Sequence, residues 1–248
     1  MITSELKKNV RGILLENERM SNHTSYGIGG KVMAYITPYD VKDLIKIIKV
    51  INKNNLKFYF VGSGSNLLVN DKRINAIIVT PAKALKSLII KKNTISAESG
   101  VMLGRMVKEA MKNNLTGLES LVGVPGTLGG ALMMNAGAWG SEISNYLISV
   151  DVINTNGKII TLNPEDIEFR YRHSSLKPNE FILSAKFELS KASKIDIQKK
   201  KAIASKGRIT SQPLKYRSAG SVFKNPHNKL AAGFLIDEAG LKGTQIGG

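Results

Sequence analysis

The sequence predicts an α+β fold, on three observations. One amphipathic helical stripe with short apolar strands around it occupies the first third. Hairpin-linked and strictly alternating strands fill the middle, and the chain turns helical again towards its end. Strands and helices that segregate in this way build separate layers, whereas a doubly wound sheet alternates strand and helix throughout.

In chain order, residues 31–37 read as a strand. Asp40 can cap a helix in which Val41, Leu44, Ile45, Ile48 and Ile51 form one apolar stripe. Asn54-Asn55 ends it. Residues 58–61 are a short apolar strand, followed by the turn Gly62-Ser63-Gly64-Ser65-Asn66, and residues 67–69 and 76–79 resume strand character. Leu103, Met106, Val107 and Ala110 mark a second amphipathic helix. A glycine-rich segment spans residues 117–140. Residues 149–155 and 158–162 flank Asn156-Gly157, the dipeptide of a two-residue hairpin whose central residues both need φ > 0. Phe181, Leu183, Ala185, Phe187 and Leu189 alternate strictly with Ile182, Ser184, Lys186, Glu188 and Ser190, as in a half-buried strand. A basic helix, a turn-rich stretch over residues 212–228 and a last helix over residues 230–241 complete the chain. Three regions result, residues 1–81, 82–190 and 191–248.

Composition excludes several classes of function. With no cysteine among 248 residues, disulfides, thiolate metal sites and cysteine nucleophiles are impossible. His23, His173 and His227 are too far apart in sequence for a metal-ligand pattern, so no metal is expected. No stretch approaches the roughly 18 apolar residues that span a bilayer. The polar, charged N-terminus lacks the apolar core of a secretory signal. No membrane insertion is therefore expected, and a cytoplasmic location is. The net charge of +17 comes mostly from scattered lysines, with no basic run interleaved with aromatics. That pattern fits a solvated lysine surface rather than a nucleic-acid binder. A positive field also steers a polyanionic small substrate. No protein partner is evident.

Two loops carry small residues in unusual density. In the turn at 62–66, Gly62, Gly64, Ser65 and Asn66 can bring backbone N–H groups and hydroxyls around an anion. It is not a dinucleotide fingerprint, since the third glycine would fall on Leu67. Taken alone, it is equally compatible with an ordinary turn. The run Gly123, Pro125, Gly126, Thr127, Gly129 and Gly130, continuing through Asn135 and Gly137, fills a core poorly and costs backbone entropy on ordering. A backbone surface against a flat or phosphorylated ligand and a tightly packed helix are the two readings. Met133 and Met134 within it read as core filler. Tyr171 and Arg172 follow a hairpin, and Ser221, Lys224 and Asn225 surround a turn. Neither group has the nucleophile, base and orienting residue of a hydrolase.

Taken in order, Asn22-His23-Thr24-Ser25-Tyr26 with Gly29-Gly30, the turn at 62–69, residues 117–140, Tyr171-Arg172-His173-Ser174, Gln212-Pro213-Leu214 through Pro226, and Asp237-Glu238-Ala239-Gly240-Leu241 form a specific set. That set resembles the UDP-N-acetylenolpyruvoylglucosamine reductase family, over residues 22–248.

The resemblance implies two α+β subdomains, a clamp of the vanillyl-alcohol-oxidase (PCMH) type around bound FAD, and an α+β substrate-binding domain in the third region. It implies NADPH as co-substrate and UDP-N-acetylglucosamine enolpyruvate as substrate, reduced to UDP-N-acetylmuramate for peptidoglycan. It therefore also implies a part in cell shape and division. Gly62, Gly64, Ser65 and Asn66 would meet the FAD pyrophosphate. Gly123, Pro125, Gly126, Thr127, Gly129, Gly130, Asn135 and Gly137 would approach it from the second subdomain. Arg172 would stabilise charge developing on the substrate carboxylate, Ser221 would donate a proton, and Tyr171, Lys224 and Asn225 would contact substrate. The family pattern continues past the equivalent of Gly247-Gly248 with further strands and a late glutamate, which Glu238 does not replace. The third region is accordingly expected to be incomplete and activity impaired. A non-catalytic FAD- or nucleotide-sugar-binding remnant and another FAD oxidoreductase of the same clamp are the alternatives.

Overall fold

The structure, a computed structural model, describes residues 4–211, 217–226 and 230–246. Helix α1 (Ser4–Asn9), β1 (Ile13–Glu16), β2 (Val32–Thr37), α2 (Val41–Lys53), β3 (Phe58–Phe60) and β4 (Ile74–Val79) come first. Their strands form one sheet in the order β1-β2-β4-β3, parallel except for β1. Helix α2 covers it, with Leu44, Ile48 and Ile51 of the sequence stripe buried against Ala34, Ile36, Ile77 and Val79 together with Ile47, which the stripe omitted, while its Val41 and Ile45 are only half-buried at the margin. Asp40 caps α2 by accepting from Asp43 N–H at 2.8 Å. Asp43 is fully buried and accepts three backbone N–H groups, from Arg11, Gly12 and Tyr39, at 2.8–3.0 Å. This carboxylate ties the chain before β1 to the entry of α2.

A five-stranded antiparallel sheet follows. Its elements, with the short pieces between them, are β5 (Leu88–Lys91), β6 (Thr94–Glu98), α3 (Leu103–Lys112), β7 (Leu115–Thr116), α4 (Leu128–Met133), β8 (Gly137–Ala138), β9 (Ser141–Glu142), β10 (Leu147–Ile153), β11 (Ile159–Leu162), β12 (Phe169–Arg170), β13 (His173–Ser174), β14 (Phe181–Glu188) and β15 (Ser190–Lys191). The order in the large sheet is β11-β10-β14-β6-β5. Helix α3 buries Leu103, Met106, Val107 and Ala110 against it. Helix α5 (Lys194–Ser211) and the short α6 (Ala232–Glu238) lie beyond.

Four expectations need correction. Residues 67–69 are not a strand. Leu67 and Val69 do pack against Met20, Val32, Tyr35, Val61 and Ile78, but the segment hydrogen-bonds to a glycine loop, through Gly30 N–H to Asn70 C=O, rather than to a ladder. The hairpin at Asn156-Gly157 has a three-residue loop, since Asn154 and Lys158 pair across it and only Gly157 has positive φ. That is a type I-like turn closed by a left-handed glycine. The last helix is shorter than expected. Gly240 at φ +67 ends it, with Leu241 N–H bonded to Ile236 C=O and Gly240 N–H to Asp237 C=O, the pairing that satisfies terminal carbonyls at a glycine stop.

The fourth correction concerns β14. Strict alternation holds for residues 184–188 but fails before them, where Phe181, Ile182 and Leu183 are all buried. Asp151 pairs with Ser184 and Val152 with Ile182, so Leu183 is an extra residue in the ladder. A bulge reverses side-chain parity. Ala185 and Phe187 therefore face the core beneath α3, while Phe181 and Leu183 join the core beneath α2. One strand thus serves two cores. Residues 212–216, with Gln212-Pro213-Leu214, and a helix start at His227 or Asn228 lie outside the described residues.

Candidate active site

The turn after β3 is held from below. Val61 N–H continues the pairing to Val79 C=O, and Thr80 Oγ1 donates to Gly62 C=O at 3.2 Å. Gly64 has φ +67, and a Cβ there would lie 1.9 Å from the carbonyl oxygen of His23. Only glycine fits. His23 stacks on Tyr35, ring centroids 3.7 Å apart, and its Nε2 lies 3.0 Å from Glu18 Oε1. The side-chain amide of Asn22 donates to the same oxygen, and together with His23 it holds the Glu18 carboxyl below its ordinary pKa. Burial pushes the Tyr35 phenol above its usual range.

The glycine-rich loop faces this turn across a seam. Leu103 N–H bonds to Gly126 C=O, Leu128 N–H to Val101 C=O and Gly129 N–H to Ser99 C=O, which lock residues 126–129 onto the end of the large sheet. A Cβ on Gly62 would fall 2.3 Å from Thr127 Oγ1, and one on Gly126 would fall 3.2 Å from Ser65 Oγ. Ser65 Oγ donates to Pro125 C=O at 3.3 Å. Ser63 Oγ, Ser99 Oγ, Thr127 Oγ1 and Asn135 Oδ1 are buried without a hydrogen-bond partner among the described residues. Each such group costs about 1–3 kcal/mol unless a ligand or water pairs it. A wall of orphaned hydroxyls and one amide oxygen, with glycines where side chains would intrude, suits a large polar ligand such as FAD.

Arg172 sits above the same loop. It is half-buried, and its guanidinium donates to Gly137 C=O at 2.7 Å and lies 4.9 Å from the ring centre of Tyr171, which is exposed. Asn135, fully buried, donates to Glu142 Oε2 at 2.6 Å and to Arg170 C=O at 3.2 Å. The third region reaches the seam from the other side. Gly220 is next to Asn66, a Cβ there lying 3.8 Å from Asn66 Oδ1, and Arg217 meets Gly27. Ser221 and Lys224 are exposed and make no hydrogen bond or ion pair among the described residues. Asn225 is exposed, but its Oδ1 accepts the first N–H of α6, from Ala232, at 3.0 Å. Gly123 and Gly130 are exposed, and Gly129 packs on Ser99. The structure therefore brings Gly62, Ser65, Pro125, Gly126 and Thr127 together, sets Arg172 beside Gly137, and puts the residue preceding Ser221 near Asn66. No hydrogen bond joins Ser221 or Lys224 to Arg172 among the described residues.

Several contributors escaped the sequence reading. Glu18 and Thr80, from the segments after β1 and β4, and Tyr35 of β2 brace the turn, and Ser99 and Glu142 line the loop. Helix α5 docks on it through Arg208, whose guanidinium donates to Gly123 C=O and whose pKa burial lowers, and through Gly207, where a Cβ would strike the Trp139 indole at 2.4 Å. Sequence separation hides all of these. No described helix is long and apolar enough to cross a membrane, and no described group of three or more His, Asp or Glu side chains could hold a metal ion. A cavity of about 610 Å³ beside Lys92, Asn93 and Glu188 shares no residue with the seam.

The comparisons agree with this geometry. Residues 32–163, more than half of the chain, match the family model of an FAD binding domain. Solved structures of berberine bridge enzyme and of Phl p 4, a grass pollen allergen with glucose dehydrogenase activity, share the fold alone. Each has a TM-score of 0.57 over 77% of this chain and 44% of its own, at 15% and 14% identity. Fold, seam and matched model define an FAD-binding protein with the two-part clamp of the vanillyl-alcohol-oxidase type. Residues 212–248 match the model of the UDP-N-acetylenolpyruvoylglucosamine reductase C-terminal domain. The crystal structure of that reductase from Thermus caldophilus superposes with a TM-score of 0.79 at 31% identity, over 96% of this chain and 83% of its own. The reductase of Clostridium kluyveri is 42% identical over 232 residues, 93% of this chain and 76% of its own. That of Caldanaerobacter subterraneus subsp. tengcongensis is 39% identical over 250 residues, 100% of this chain and 82% of its own. The chain belongs to the UDP-N-acetylenolpyruvoylglucosamine reductase family.

Proposed function

We propose that this chain is an FAD- and NADPH-dependent oxidoreductase that converts UDP-N-acetylglucosamine enolpyruvate to UDP-N-acetylmuramate for peptidoglycan. The observation that carries it is the seam, with its orphaned polar wall, in a chain 42% identical to a reductase of that name. Bound FAD supplies hydride transfer, carrying reducing equivalents from NADPH to the methylene carbon of the enolpyruvyl ether.

The protein's own residues do the rest. Ser63, Ser65, Thr127 and the glycines of both loops hold the cofactor. Arg172, fixed by Gly137 C=O, meets the negative charge that builds on the substrate carboxylate as hydride arrives. Ser221, near the turn at 62–66, gives a proton to the carbon next to that carboxylate. The hydride and this proton saturate the double bond. Tyr171 and Lys224 face substrate, while Asn225 shapes the start of α6. Residues 1–81 and 82–190 form the clamp and 191–248 contribute to the substrate side. A nucleotide-sugar substrate with NADPH supports a cytoplasmic location and, through cell-wall synthesis, a part in cell shape and division.

The test is to purify the chain, record its visible spectrum and follow NADPH oxidation with and without UDP-N-acetylglucosamine enolpyruvate. A flavin spectrum with substrate-dependent oxidation is expected. Oxidation indifferent to that substrate would point to another FAD oxidoreductase, and bound flavin without turnover to a binding module.

A further inference from the structure

We propose that Glu142 is a positioning residue for Arg172, acting through the amide of Asn135. The inference rests on the reading of Arg172 as the group that meets the substrate carboxylate. Arg172 occupies the two-residue turn between β12 and β13, where Arg170 pairs with His173, and its backbone has φ +54. A left-handed backbone is unfavourable for a residue with a side chain. A ladder of two residue pairs does not hold itself together in water. The turn must be fixed from outside.

Three hydrogen bonds fix it. Ser174 Oγ donates to Met133 C=O at 2.9 Å, Arg172 to Gly137 C=O at 2.7 Å, and Asn135 Nδ2 to Arg170 C=O at 3.2 Å. The third depends on which way the Asn135 amide faces. Its NH2 also donates to Glu142 Oε2 at 2.6 Å. An ionised carboxylate only accepts hydrogen bonds. With Glu142 and the Arg170 carbonyl both acceptors, a flipped amide would set oxygen against oxygen twice. Glu142 thus locks the amide with its NH2 towards the hairpin.

Glu142 is itself held. It pairs with Gly137 across β8 and β9, its N–H bonds to Asn145 Oδ1 at 2.6 Å, and its side chain accepts the Asn145 N–H. No described Lys, Arg or His comes within ion-pair distance of it, although the chain carries a net charge of +17. Its ladder partner is also the residue whose carbonyl takes the Arg172 guanidinium, so the backbone of Glu142 supports one end of the arginine and its carboxylate, through Asn135, the other.

The test uses the full FAD-loaded chain and separates the two half-reactions without oxygen. Glu142→Ala is expected to leave bleaching of the flavin by NADPH within about twofold and to slow colour recovery with UDP-N-acetylglucosamine enolpyruvate by about ten- to a hundredfold, as small misplacements do. Amide hydrogen exchange, which needs no turnover, is expected to rise about tenfold or more for residues 169–175 and not for β14. Glu142→Gln keeps the reach but can turn a donor towards Asn135, so its recovery is expected to fall between those of the parent and of Glu142→Ala. On an Arg172→Ala background, Glu142→Ala should add less than about twofold, because coupled residues are not additive. If Glu142→Ala misfolds, Glu142→Asp, one methylene short of Asn135, carries the same expectations. Multiplying effects, or parent-like recovery and exchange in Glu142→Ala while Arg172→Ala is slow, would overturn this proposal alone. Normal recovery in Arg172→Ala would instead remove the reading of Arg172 beneath it.

Discussion

Gly64 and Gly104 have opposite tolerances for a side chain. Gly64 has φ +67 and a backbone carbonyl where its Cβ would go, whereas Gly104 in α3 has open space. Gly64→Ala is expected to lower unfolding free energy by about 1–3 kcal/mol and to weaken FAD binding. Gly104→Ala is expected to raise it by about 0.5 kcal/mol, both read from urea unfolding. If Ser221 is the proton donor proposed above, Ser221→Ala should leave flavin reduction by NADPH intact and slow oxidation by substrate by about a hundredfold or more. Normal turnover would dismiss Ser221 as the proton donor. Below the turn, Glu18 has a folded pKa held under its unfolded value by Asn22 and His23. Such a carboxylate stabilises the fold fully above the unfolded pKa, about 4.3, and the contribution disappears as pH falls through the folded one. Glu18→Gln should therefore flatten the acid limb of a stability profile and leave the neutral limb parallel.

Between elements, buried polar anchors and one irregular strand matter more than propensity. Asp43 looks in sequence like a solvated residue of the first turn of α2, yet it is fully buried beneath three backbone donors. Asp43→Ala strands those donors and is expected to cost about 3 kcal/mol or more, measured by chemical denaturation. The stripe of α2 and that of α3 were legible because burial of one helical face imposes a period of 3.6 on the residues. The bulge at Leu183 was not, since an extra residue in a ladder leaves the local pattern intact and shows only in the partner's register.

For the molecule as a whole, the charge of +17 bears on capture of the substrate. A nucleotide sugar carries a diphosphate and this one a carboxylate as well. Its kcat/KM is expected to fall several-fold as ionic strength rises from about 0.05 to 0.5 M, where the screening length drops below about 5 Å. A flat profile would mean that the lysines are merely a solvated surface. Flavin binding, in contrast, should respond little, because the seam between the two sheets presents neutral hydroxyls and backbone groups.

The sequence by itself determined the α+β class, the two amphipathic helices, the glycine-dense loops and, through an ordered set of short motifs, the family. All are local or ordered along the chain, so spacing records them. Tertiary structure alone decided that Gly62 abuts Thr127, that Ser65 reaches Pro125 and that Asn66 lies beside Gly220. It also decided that Arg172 is held by Gly137 and, through Asn135, by Glu142. These contacts join residues up to about 150 positions apart. Their energy comes from packing two cores around one shared strand, and no local pattern in the chain encodes it.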